Sequence, residues 1–114
     1  MWWTIAGVVG ALGVALGAFG THGLKGMVTD PHLLEVWATA ARYHLIHAVV
    51  LLGVAAHPAK PQVAGWLFVA GIFVFSGSLY TMTLTGHRWL GAITPIGGVC
   101  LILGWLALGF ARAS

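Results

Sequence analysis

The chain has 114 residues, 60% of them hydrophobic and 6% charged, with a formal net charge of +3 and a mean hydropathy of +0.97. Soluble domains carry about 25% charged residues, so this composition excludes a water-soluble globule and predicts a polytopic membrane protein. The five cations, Lys25, Arg42, Lys60, Arg88 and Arg112, are scattered and form no basic run, which excludes a nucleic-acid patch.

Spans of about 20 residues with short connections use nearly the whole chain. The expected fold is all-α: one domain over residues 1–114, a four-transmembrane-helix bundle with a short interfacial helix between spans one and two. Span one is predicted over residues 2–19. It lacks the basic n-region of a secretory signal, so a retained first helix is expected. Gly7, Gly10, Gly13, Gly17 and Gly20 recur every three or four residues and draw a smooth stripe for close helix packing.

A glycine-rich polar connection containing His22 follows. Asp30-Pro31 then supplies an N-cap and a proline for the first helical position. Leu33, Leu34, Val36 and Trp37 alternate with Glu35, which predicts an interfacial helix running into span two (37–56), with Trp37 at headgroup depth. Pro58-Ala-Lys-Pro61 makes a polar turn before span three (63–84). Span four (90–110) opens on Thr94-Pro95-Ile-Gly97-Gly98, where proline and glycine predict a kink. His32, His57 and His87 are expected in loops, and Cys100 as a small packing residue with no partner for an intrachain disulfide.

An even number of spans puts both termini on one side. Lys25, Arg42 and Arg88 then flank one face and Lys60 and Arg112 the other, which leans weakly towards termini outside.

Chemistry concentrates in span two. A charge at mid-bilayer costs about 2.5–3.5 kcal/mol on insertion scales, so Arg42 needs a reason to be there. Thr39, Tyr43 and His47 stand four apart and share a helix face, and Ser76, Tyr80 and Thr83 have similar spacing in span three. A polar site is expected from His22, Glu35, Arg42, Tyr43, His47 and Ser76. The plainer alternative is that Arg42 snorkels to the interface while Tyr43 and His47 tie helices together. His44 and His47 at i, i+3 suggest ligands to one centre. There is no HExxH, CxxCH or zinc-spaced Cys/His set, so no metal and no cofactor are expected. No Ser-His-Asp set, phosphate loop or carboxylate pair is visible, so no enzyme is expected either.

Four motifs occur in order: Gly17-Ala-Phe-Gly-Thr-His-Gly-Leu24, Trp37-x-Thr39-Ala-x-Arg42-Tyr43-x-x-x-His47, Phe75-Ser-Gly-Ser-Leu-Tyr80, and Thr94-Pro-Ile-Gly-Gly98 with Gly104-Trp105. Together they resemble the YgdD/YwdK family of small inner-membrane proteins over nearly the whole chain. The resemblance implies a four-span protein of the cell inner membrane whose biochemical role is not defined, and it confers no catalytic residue. Its motifs draw attention to His22, Arg42, His47, Ser76, Tyr80, Thr94 and Pro95, and away from His44.

The expected function is binding of a lipid, a quinone-like amphiphile or a membrane partner. Arg42 would hold an anionic group, His22 and His47 would add hydrogen bonds or a pH-sensitive switch, and the start of span four would line the site. The alternative is an oligomeric channel or transporter for a small solute. Membrane lipids, further copies of the chain or a larger membrane complex are the expected partners, and nucleic acid is not.

Overall fold

A computed structural model describes residues 1–112. Four helices follow in order: α1 (Trp2–Thr21), α2 (Pro31–Ala56), α3 (Gln62–Thr85) and α4 (Thr94–Gly109). Short 3-10 turns at Leu24–Gly26 and Arg88–Ala92 lie in the first and third connections. Each helix, with the turn Arg88–Ala92 counted into the fourth, is long and apolar enough to cross a membrane.

Local chemistry sets the ends. Asp30 accepts the backbone N–H of His32 at 2.9 Å, and Pro31 occupies the first turn, where a missing N–H costs nothing. With that cap in place the stretch before Trp37 does not form a separate interfacial element. It is the opening of one 26-residue helix, which also takes in His32, so that histidine is not in a loop. The short helix between the first two spans is instead the single turn Leu24–Gly26. α2 stops at His57 because Pro58 keeps its preceding residue out of the helical region. α3 ends on Gly86, whose φ of +74° needs a residue without a Cβ.

The fourth span also departs from expectation. Thr94 and Pro95 do not kink a continuous helix; they begin α4 after the 3-10 turn breaks at Ile93. A proline in a first turn removes no intrahelical bond, so the break falls in the connection and not within α4.

α2 and α3 form the central pair, α1 packs along α2, and α4 packs along α3. The larger core cluster joins Trp2 and Ala6 of α1, Leu51 and Val54 of α2, Phe68 and Ile72 of α3 and Leu101 of α4. A smaller cluster of Ala40, Leu79 and Met82 lies between α2 and α3. α3 and α4 approach so closely at Gly97 that a Cβ there would strike the backbone of Phe75. The connections 22–30 and 86–93 share one end of the bundle, where Arg88 bonds Asp30 at 3.1 Å.

Candidate functional site

The inward face of α2 carries small residues, Ala40, Ala41 and Ala48, interrupted by three large polar-tipped rings, Trp37, His44 and His47. Each ring reaches a different neighbour. The Trp37 indole N–H donates to the Leu16 carbonyl of α1 at 2.8 Å. Its ring lies against Tyr80 and Phe19. Trp37 is therefore buried between helices rather than presented to a headgroup layer.

His44, also buried, links three helices. Its Nε2 lies 2.8 Å from the Val9 carbonyl, which can only accept, so Nε2 carries the proton. Nδ1 is then the acceptor for the Tyr80 hydroxyl at 3.0 Å. Gly13 makes room for this arrangement, since a Cβ there would lie 2.7 Å from Leu45 and 3.3 Å from the His44 ring.

His47 has the opposite tautomer for the same reason. Nδ1 donates to the Tyr43 carbonyl at 2.7 Å, and Nε2 accepts the Trp105 indole N–H at 3.0 Å. Neither nitrogen of either imidazole is left for a ligand. Hydroxyls supply further ties. Ser76 donates to the Ala40 carbonyl at 2.8 Å, Thr83 to Leu33 at 3.2 Å, and Ser78 meets Thr94 at 2.7 Å. Such bonds inside a membrane bundle are worth about 0.6 kcal/mol on average.

The residues expected to form one polar site are therefore distributed. His47, Ser76 and Tyr80 face the interior, and Thr94 bonds α3 at the start of α4. Arg42 and Glu35 are exposed on the outward face of α2, and His22 caps the end of α1. Tyr43 is partly exposed with its ring on Phe75, while Pro95 is exposed. Among the described residues Arg88–Asp30 is the only ion pair, so Arg42 and Glu35 do not pair. No group of three metal-ligating side chains occurs there either.

The first-span glycines divide in the same way. A Cβ at Gly13 or Gly20 would strike Leu45 or Trp37, one at Gly10 or Gly17 would lie 3.9 Å from Ala48 or 4.0 Å from Ala41, and one at Gly7 would meet nothing within 4 Å. His44, Trp37 and Trp105 are the functional-site neighbours that sequence reasoning underrated. The available signal was a large polar-tipped residue among alanines on one helical face.

Residues 16–98 match the family model described as "Protein of unknown function (DUF423)". The chain is 47% identical over 111 residues to the UPF0382 membrane protein YwdK of Bacillus subtilis, covering 91% of this chain and 89% of that protein. It is 48% identical over 109 residues to a UPF0382 membrane protein of Staphylococcus aureus, covering 89% and 88%. With a UPF0382 membrane protein of Schizosaccharomyces pombe it shares 42% identity over 113 residues, covering 93% and 96%. No solved structure matches.

Proposed function

The chain belongs to the DUF423 family of membrane proteins, and on that premise we propose that it is a membrane module that binds an anionic amphiphile through Arg42. One observation carries this reading: Arg42 is exposed about three turns into α2 with no acidic partner among the described residues. Asp30 is engaged by Arg88, and Glu35 lies seven positions away, about 10 Å along the axis. Cβ atoms tilt towards a helix N-terminus, so the Arg42 stem leans towards the end that holds the connection 22–30. Snorkelling along α2, the guanidinium reaches for the headgroup layer and offers a planar fork to a phosphate or carboxylate. His22, exposed at the same end, adds a second polar group there. His47 has no part in this reading because both its nitrogens are engaged. On this reading the module acts in the cell inner membrane, which four membrane-length apolar helices and the membrane-protein relatives support.

The test is native mass spectrometry of the protein extracted from bilayers containing both phosphatidylglycerol and phosphatidylcholine. A basic residue near a membrane surface contributes about 1 kcal/mol towards anionic lipid. Arg42→Ala should therefore lower retained phosphatidylglycerol about fivefold, and Arg42→Lys should lower it less. Unchanged retention in Arg42→Ala sinks the reading. Solute flux through sealed liposomes would favour an oligomeric channel in its place.

A further inference from the structure

We propose that the slot between α1 and α3 is a binding site for one hydrocarbon chain of a membrane amphiphile, entered sideways from the bilayer. Leu12 and Leu16 of α1 form one wall and Phe73 and Gly77 of α3 the other, with His44 and Tyr80 among the remaining lining residues. The site does not depend on the Arg42 reading. Arg42 and His44 are two residues apart, about 200° around α2, so the slot and the guanidinium face opposite sides of the bundle.

Three features select a chain over other occupants. The first is shape. The lining residues run from Val69 to Tyr80 on α3, about 16 Å along the helix axis. The lining is drawn out along the spans, over Val9 to Leu16 on α1 and Val69 to Tyr80 on α3. Its volume is about 230 Å³, more than the roughly 150 Å³ that accommodates benzene in an engineered apolar cavity. A second helix, 10–12 Å across, is too broad to enter.

The second is chemistry. The polar atoms near the slot are engaged with one another: His44 with Val9 and Tyr80, and Ser76 with Ala40. What remains to touch a ligand is carbon, so the slot has nothing to offer a headgroup and suits an apolar tail.

The third is position. The slot lies midway along the spans, at the level where Val9 meets His44, and opens between helices rather than at either end of the bundle. Its mouth therefore faces hydrocarbon. An unfilled apolar space forfeits contacts on its walls, and a chain drawn from the bilayer restores them.

Gly77 allows a specific block. It lies on the slot wall, and a Cβ built there meets nothing within 4 Å, so the backbone of α3 admits a side chain that adds bulk at the wall. The full chain is reconstituted with phosphatidylcholine carrying a mid-chain diazirine, photolysed, and mapped by tandem mass spectrometry. Adducts on Leu12, Leu16 and Phe73 should be at least about fivefold denser than on the exposed α4 residues Val99, Ile102 and Leu103. Gly77→Leu, and independently Leu12→Trp, should cut slot labelling at least about threefold and leave α4 labelling unchanged. Arg42→Ala should leave the pattern intact, which separates this site from the anion site. Equal labelling of slot and α4, meaning ordinary annular lipid only, overturns the proposal. So does labelling that survives both blocking variants.

Discussion

Trp105 and His47 meet at 3.0 Å, indole N–H to imidazole Nε2, and bind α4 to α2 across a bundle in which α4 packs mainly on α3 and α2 mainly on α1. The His47 ring also lies against Phe68, and Phe68 against Trp105, so the hydrogen bond closes a triangle of rings drawn from α2, α3 and α4. Because Trp105 can only donate, the contact holds His47 in the tautomer that its Tyr43 bond also requires.

Trp105→Phe should therefore destabilise by about 1 kcal/mol, since it strands a buried acceptor while removing little buried ring. His47→Phe should cost a similar amount. The double variant should lose less than the two singles combined, as groups bonded to each other are not additive. Unfolding titrations of the four proteins in mixed micelles give the cycle; additive losses would mean that the bond contributes nothing.

Trp2 and Trp37 are both buried, yet only Trp37 has a partner for its N–H; the Trp2 Nε1 is buried with none. Replacement by Phe should consequently cost more at Trp37 than at Trp2, by about 1 kcal/mol. Thermal melts of Trp37→Phe and Trp2→Phe in one detergent make the comparison. Equal losses would show that ring volume alone decides.

Gly97 and Gly98 are neighbours with different surroundings. A Cβ at Gly97 meets the Phe75 backbone, which cannot yield, whereas one at Gly98 comes no nearer than 3.8 Å, to the Phe75 ring. Overpacking of this kind costs about 1–3 kcal/mol. Gly97→Ala should lower the melting temperature by several degrees, and Gly98→Ala should leave it unchanged or raise it.

Asp30 has two roles, capping α2 through His32 and pairing with Arg88, and the pair is 42% and 62% exposed. Exposed pairs contribute little, while a lost N-cap costs about 1 kcal/mol. Asp30→Ala should be clearly destabilising, whereas Asp30→Asn and Arg88→Ala should each change stability by less than about 0.5 kcal/mol. A large loss in Asp30→Asn would transfer the effect to the ion pair.

The class, the number of spans and most of their ends follow from the amino acids alone. Bilayer thickness dictates how long an apolar run must be, and Asp30-Pro31, Pro58, Pro61 and Gly86 mark helix limits by their own backbone chemistry. Arg42 and the histidines of α2 could be picked out as costly in hydrocarbon, but not which way each one faced. These helices are apolar nearly all round, so no polar stripe announces the lipid side. Rotation about each axis is decided by neighbours, such as Gly13 admitting His44 and Gly97 seating on Phe75. Only tertiary packing therefore turned His44 and His47 inward, left Arg42 outward, and opened the slot between α1 and α3.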